Sequence, residues 1–140
     1  MEERDLVNTL KLLAQLYADA AWTYERAIDK IDQDEMRDEL LDLRDQHLRH
    51  YENLSNYLRD IGEMPPRYGY PAEISEGLRS ITDEMSVDET IRALKNNERY
   101  ITTKIREAEE TTQLAELTDE LEGELEDEQS YIKILDDMAS

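Results

Sequence analysis

Four long stretches of the chain repeat apolar residues at alternating steps of three and four, the spacing that places them on one face of an α-helix. The pattern is clearest in the first stretch, whose members are Leu6, Leu10, Leu13, Tyr17, Ala20, Tyr24, Ala27 and Ile31. The four stretches predict helices over residues 3–31, 33–60, 87–109 and 113–138. Amphipathic helices must bury their apolar faces against one another, so the pattern predicts an all-α bundle.

The connections between the predicted helices indicate how they pack. Only a few residues separate the first helix from the second and the third from the fourth, so each pair forms an antiparallel hairpin. Residues 61–86 separate the hairpins, with a proline pair at 65 and 66 and then apolar residues at steps of four and three, Ile74, Leu78 and Ile81. We expect a loop and then a short helix, together a crossover that lets the second and third helices run parallel. Residues 1–140 should form one domain.

Short local patterns mark the helix ends. Asp32 with Glu35, and Ser86 with Glu89, have the spacing of capping boxes that begin the second and third helices. Gly123 interrupts the fourth helix, where it predicts a close approach of a neighbour or a local irregularity.

Polar residues replace apolar ones on the inner stripe of every predicted helix. They are Tyr17 in the first helix, His47 and His50 in the second, Glu98 in the third, and Glu128 and Tyr131 in the fourth. At a rise of about 1.5 Å per residue, these positions can lie at one level of the bundle. An unpartnered buried polar group costs about 1–3 kcal/mol, so these side chains must pair with one another or with a bound ion.

The formal net charge of −20 limits the partners of the chain. A strongly negative surface repels phosphates, so we expect no binding to nucleic acid or to anionic membranes. A cation or a basic protein is the expected partner, unless the acids serve only solubility or life in high salt.

No cysteine is present, which excludes disulfides and thiolate metal sites. The first thirty residues are charged and amphipathic and no run approaches membrane length, so we expect a soluble, cytoplasmic protein.

Four segments resemble the ferritin-like superfamily, near the rubrerythrin-type and small uncharacterised ferritin-like proteins. They are residues 16–25, 45–50, 96–98 and 128–131, one in each predicted helix. The resemblance covers the whole chain and implies a ferritin-like four-helix bundle, two antiparallel hairpins joined by a long crossover containing a short helix. The superfamily pattern is a Glu from each of two helices and a Glu-x-x-His from each of the other two, holding two iron or manganese ions.

The chain matches this ligand pattern in part. By resemblance, Glu98 corresponds to the single Glu of the third helix, His50 to the His of the second, and Glu128 to the Glu of the fourth. His47 stands where the second helix has its Glu. The resemblance therefore implies an incomplete set that holds one iron, manganese or zinc ion through His47, His50, Glu98 and Glu128.

Two tyrosines occupy the remaining ligand positions. Tyr17 stands where the first helix supplies its Glu, and Tyr131 where the fourth supplies its His, so both are expected beside the metal or as weak ligands. Asp19 lies two residues off the stripe and is expected to point elsewhere.

Two hypotheses for function follow. In the first, the chain is a ferritin-like metal-binding protein, with iron as the expected metal and with oxidase or peroxide chemistry as the resemblance implies. In the second, Glu98 and Glu128 pair directly with His47 and His50 and no metal is needed. The bundle would then be a structural or partner-binding module that works through its acidic surface, at residues 116–128 of the fourth helix, or through the loop at Pro65 and Pro66.

Apolar residues also lie off the inner stripe of the first helix: Leu12, Leu16, Trp22 and Ile28. A helix that is apolar on two faces usually buries both, so this helix predicts a homodimer.

Overall fold

Four α-helices make up most of the computed structural model, which describes residues 2–67, 75–112 and 115–139. They are α1 Glu2–Ile28, α2 Asp34–Asp60, α3 Val87–Thr111 and α4 Ala115–Ala139. The described ranges contain no β-strand, and none of their helices is long and apolar enough to cross a membrane. The predicted helices and their order are confirmed. The largest difference is the end of α1, which stops at Ile28 rather than at residue 31.

Two apolar clusters stacked along the bundle form its core. The first apolar cluster joins the early part of α1, the ends of α2 and α3 and the start of α4; its members include Leu10, Leu13, Leu54, Leu58, Ile101, Ile105, Leu117 and Leu121. The second apolar cluster joins the opposite ends; its members include Ala27, Ile31, Leu40, Leu43, Ile91, Leu94, Tyr131 and Leu135. The ends that meet show that α2 and α3 run parallel, as the long crossover predicts, and that α1 and α4 run opposite to them.

The crossover between α2 and α3 returns the chain along the bundle. Leu78 packs in the first apolar cluster and Ile81 in the second. Asp19 of α1 anchors this segment, because its Oδ2 accepts hydrogen bonds from the backbone nitrogen of Ser75 at 2.9 Å and from the Ser75 hydroxyl. Its Oδ1 accepts from Gln15 Nε2 at 2.9 Å. Asp19 therefore points away from the other polar residues of the core, as predicted.

The short helix predicted in the crossover does not form over residues 75–86, which adopt turns; residues 71–74, with Ile74, lie outside the described residues. Gly77 has a φ of 99°, in the left-handed region that an α-helix does not use. Asn97 of α3 accepts from the backbone nitrogen of Arg79 at 2.6 Å and donates to its carbonyl at 3.1 Å. Hydrogen bonds from side chains of α1 and α3 thus satisfy backbone groups of this segment that would otherwise bond within a helix.

The capping predictions have opposite outcomes. The box at Ser86 is confirmed, since Glu89 N donates to Ser86 Oγ at 3.0 Å and Ser86 N donates to Glu89 Oε1 at 3.3 Å. The box at Asp32 is wrong, because Gln33 precedes α2 and makes no side-chain capping bond. Ile31, 2% exposed, packs in the second apolar cluster between the two helices.

Replacing Gly77 by alanine should lower the free energy of unfolding by about 1–3 kcal/mol, because positive φ strains any other residue. An added Cβ would also lie 2.2 Å from Cζ of Tyr100. Gly123 is the matched control: it lies inside α4, and a Cβ there would meet no described atom within 4 Å, so the predicted close approach is wrong. Gly123→Ala should raise stability by about 0.5–1 kcal/mol. Urea unfolding of both variants tests this, and equal stabilities would contradict it.

Only two of the four apolar residues that predict a dimer have exposed surface that a second copy could cover. Leu16 and Ile28 are buried within the chain itself. Trp22 is half-buried, and Leu12 is 41% exposed. The homodimer stays a prediction, and it now rests on Leu12 and Trp22.

Candidate metal centre

Buried polar side chains from all four helices meet between the two apolar clusters. This polar layer comprises Tyr17 and Tyr24 of α1, His47 and His50 of α2, Glu98 of α3, and Glu124, Glu128 and Tyr131 of α4. Tyr17, His47, Glu98 and Glu128 have no exposed surface at all. The layer exists because each helix carries these residues on its inner stripe at the same height in the bundle.

His47, Glu98 and Glu128 form the tightest part of the layer and are here called the core group. Nδ1 of His47 donates to the backbone carbonyl of Leu43 at 2.6 Å, which turns Nε2 toward the acids. Nε2 lies 2.8 Å from Glu98 Oε1 and 3.4 Å from Glu128 Oε1. One ligand atom from each of the three residues lies within 4.8 Å of the others.

The core group is held near neutrality by one positive and one negative charge. Burial lowers the pKa of His47, but the charges of Glu98 and Glu128 outweigh it and leave the pKa well above 6.5. Burial raises the pKa of Glu98, but the adjacent imidazolium brings it below 4.5. Burial, followed by the charge of Glu98, raises the pKa of Glu128 well above 4.5. Without metal, the contact between His47 and Glu98 therefore favours the charged form of both groups, whereas burial and the charge of Glu98 favour the neutral form of Glu128.

Tyr24 completes the environment of Glu98. Its hydroxyl donates to Glu98 Oε1 at 3.1 Å. Burial, followed by the charge of Glu98, raises the pKa of Tyr24 well above 10, so the phenol keeps its proton and remains a donor.

His50, Glu120 and Glu124 form a second cluster, here called the outer group. A ring nitrogen of His50 and one carboxylate oxygen from each acid lie within 4.8 Å of one another. His50 is 6% exposed and Glu124 is 1% exposed, whereas Glu120 lies at the surface. Burial raises the pKa of Glu124 well above 4.5, against the opposing hydrogen bond from Tyr17.

The hydrogen bonds around Tyr131 determine which nitrogen of His50 carries its proton. The Tyr131 hydroxyl donates its single proton to Gln46 Oε1 at 2.8 Å. His50 Nε2 lies 3.1 Å from the Tyr131 oxygen and 3.2 Å from Asp127 Oδ2, both acceptors, so Nε2 is the donor. Burial, followed by the charge of His47, lowers the pKa of His50 to about 4. The neutral ring therefore has its lone pair on Nδ1.

Tyr17 links the two groups. Its ring centroid lies 5.8 Å from that of His47 and 5.0 Å from that of His50. Its hydroxyl donates to Glu124 Oε1 at 2.7 Å, which fixes the position of that carboxyl. Tyr17 thus packs against both imidazoles, at the position where the superfamily pattern has a glutamate.

The structure brings together three of the four residues predicted as ligands, His47, Glu98 and Glu128. It places the fourth, His50, in the outer group with acids that were not predicted to take part. Tyr17 and Tyr131 lie beside the candidate ligands, each bonded to a member of the polar layer or to Gln46. Whether any of these residues binds metal stays a prediction.

Glu124 is the main residue that sequence reasoning missed. It was grouped with a solvated acidic face at residues 116–128, but it is buried. A signal was present: Leu121, Glu124 and Glu128 continue the steps of three and four, whereas the apolar neighbour Leu125 is only half-buried. Tyr24 was assigned to the apolar stripe, and the role of its hydroxyl was not foreseen.

The residues of the core group fit a transition-metal ion. Neither oxygen of Glu128 makes a hydrogen bond of good geometry with a described residue, although the side chain is completely buried; its contact with His47 Nε2 is long, at 3.4 Å. An imidazole nitrogen with carboxylate oxygens is a donor set that suits iron, manganese and zinc. A divalent cation beside these acids would give the unpartnered oxygens the ligand they lack.

Comparison with known proteins supports the architecture. A crystal structure of ferritin-like, diiron-carboxylate proteins from Bacillus anthracis str. Ames matches 100% of this chain and 99% of its own, with a TM-score of 0.82 and 14% sequence identity. The chain has a ferritin-like fold. No protein-family model matches the sequence, and no curated protein matches it significantly. At this identity the ferritin-like fold is shown by the structure, and the chemistry must be argued from the residues.

Proposed function

We propose that this ferritin-like chain binds a transition-metal ion, with iron as the expected metal, at the core group. His47 would bind through Nε2, and Glu98 and Glu128 through their carboxylates. The fully buried carboxyl of Glu128 carries the proposal, because it makes no hydrogen bond of good geometry beyond a long contact of 3.4 Å with His47 Nε2, and such a group destabilises a metal-free core. The similar structure, described as a diiron-carboxylate protein, supports iron over other ions.

The chain's own residues would prepare this site in three ways. The Leu43 carbonyl holds the His47 ring by Nδ1, which directs Nε2 to the acids and raises its basicity as a ligand. Tyr24 orients Glu98 through its hydroxyl. The apolar clusters on both sides exclude water from the layer. A bound iron would supply redox chemistry of the oxidase or peroxide type.

Purified protein should bind Fe(II), Mn(II) or Zn(II), and Glu128→Gln should weaken binding by about tenfold or more, because it removes a charged ligand. Affinity should also rise with pH, since binding must displace a proton from Glu128, whose pKa is raised. Isothermal titration at pH 6 and pH 8, under anaerobic conditions for Fe(II), measures both effects.

Glu126→Gln is the matched control, because it removes one charge from an exposed position of α4 and should leave affinity unchanged. A wild-type protein that binds none of the three ions would contradict the proposal.

A metal-free structural or partner-binding role is the second candidate. The ion pair between His47 Nε2 and Glu98 favours it, because the two charges compensate each other while burial and the charge of Glu98 raise the pKa of Glu128 and favour its neutral form. The acidic surface of α4 would then be the working face, with a basic protein as partner. Absence of metal binding in the titration above, together with an unchanged fold, would favour this alternative.

A further inference from the structure

We propose that the outer group is a separate binding site for a divalent transition-metal ion, held by His50, Glu120 and Glu124. The three residues place a ring nitrogen and two carboxylate oxygens within 4.8 Å of one another. The site does not depend on metal at the core group. Its two acids lie at positions of α4 that the superfamily ligand pattern does not use.

Two unpartnered atoms distinguish this cluster from an ordinary acidic surface. Glu124 Oε2 and His50 Nδ1 have no hydrogen-bond partner among the described residues. Glu124 is 1% exposed and His50 is 6% exposed, so the solvent satisfies neither of them well. A cation between them would give both atoms a partner.

The surrounding hydrogen bonds leave one possible ligand atom available on each of these two side chains. The Tyr17 hydroxyl donates a hydrogen bond to Glu124 Oε1 at 2.7 Å, and Oε2 is left available for an ion. His50 Nε2 carries the proton and donates toward the oxygens of Tyr131 and Asp127. The lone pair of the neutral ring is therefore on Nδ1. Metal-bound histidines commonly donate their other nitrogen to a carboxylate or another acceptor in this way.

Charge and donor type indicate the class of ion. Two carboxylates balance a divalent cation, and one imidazole with carboxylate oxygens suits zinc, manganese and ferrous ions. Calcium, which takes oxygen ligands in larger number, fits the nitrogen donor poorly.

Glu120 gives the outer group a path to solvent. It lines a surface cavity of about 350 Å³ together with Asn53, Tyr57 and Asp60. Asn53 Nδ2 donates to Glu120 Oε1 at 3.4 Å, a long bond that an ion can displace. Glu120 is therefore the member of the outer group that an ion from solvent would meet first.

Counting zinc and manganese ions in single variants tests the inference. Wild type should bind two equivalents of Zn(II) or Mn(II) by isothermal titration, and Glu124→Gln should bind one. Glutamine keeps an acceptor for the Tyr17 hydroxyl, so the variant should remain folded. His50→Gln should also bind one equivalent. It removes a different member of the outer group, so it tests the same inference if Glu124→Gln fails to fold.

Two further variants separate this inference from the proposed function. Glu122→Gln removes one charge from an exposed position of the same helix and should keep both equivalents. Glu128→Gln should lose the core ion and keep the outer one, with anomalous scattering from zinc-soaked crystals placing the remaining ion beside Glu124.

A wild-type stoichiometry unchanged by Glu124→Gln and His50→Gln would overturn the outer site. Loss of both ions in Glu124→Gln would overturn its independence. An unchanged stoichiometry in Glu128→Gln would instead count against the core site.

Discussion

Replacing His47 by leucine should lower the free energy of unfolding of the metal-free protein at pH 8 by about 3–5 kcal/mol, since it leaves a buried carboxylate without its cation. His47 and Glu98 are both fully buried, with Nε2 and Oε1 2.8 Å apart. Leucine fills much of the volume of the ring, so most of the loss comes from charge rather than from a cavity. Urea unfolding measured with a chelator present gives the value.

The loss should shrink as the pH falls toward 4.5. In wild type the pKa of His47 is raised, so its contribution to stability is fully present below 6.5 and is lost as the pH rises through the folded value. In His47→Leu no imidazolium opposes burial, so the pKa of Glu98 should rise above 4.5. Keeping Glu98 neutral, or ionising it, in the folded variant then costs free energy, and this cost grows as the pH rises above 4.5. The difference between the two proteins should therefore grow as the pH rises from 4.5 to 6.5, where the His47 contribution in wild type is still fully present. Above 6.5 wild type begins to lose that contribution, so the difference should level off.

A double variant isolates the charge. His47→Leu with Glu98→Gln removes both members of the ion pair and keeps an acceptor for the Tyr24 hydroxyl. It should recover most of the stability lost in the single variant, because exchanging a whole buried pair for neutral groups is often nearly neutral. Equal losses in the single and double variants, or a loss independent of pH, would show that the imidazole contributes packing and not charge.

Periodicity and connection length determine this fold, and both can be read from the sequence. Apolar steps of three and four predict the four helices, and the long segment between residues 60 and 87 allows α2 and α3 to run parallel. Neither property depends on residue identity, which is why a structure only 14% identical has the same fold. The crossover was predicted less well, because Asp19 and Asn97 bind its backbone from other helices, and no local pattern reports such bonds.

The membership of the site could be predicted only in part. Residues three apart on a helix differ by about 60° in direction, so two positions on one stripe can face different neighbours. His47 accordingly contacts Glu98 of α3 and Glu128 of α4, whereas His50 contacts Asp127 and Tyr131 of α4. A stripe shows that a residue is buried, but the rotation of the helix decides which group it joins.

Restoring two missing ligands of the superfamily pattern should produce a protein that depends on metal for its stability. Tyr17→Glu supplies the acid of the first helix and Tyr131→His the imidazole of the fourth, while His47 still stands in place of the Glu of the second helix. Without metal at pH 8, the variant should be less stable than wild type by about 3–5 kcal/mol, because a further carboxyl enters a buried layer with no dedicated partner. Tyr17 now donates to Glu124, so the new acid would replace a hydrogen bond with repulsion between carboxyl groups.

Metal should reverse this loss. An ion at a concentration 100 times its dissociation constant raises apparent stability by about 2.7 kcal/mol per site, provided that only the folded state binds it. Urea unfolding with and without Mn(II) should therefore show a larger metal-dependent gain in the double variant than in wild type. Tyr17→Gln with Tyr131→His is the matched control, since it has nearly the same shape without the new charge, and it should show a smaller gain. If the glutamate and glutamine variants gain equally, position 17 does not reach a bound ion. The helices would then hold Tyr17 beside the site without offering it as a ligand position, and the core group would be complete with the residues of α2, α3 and α4.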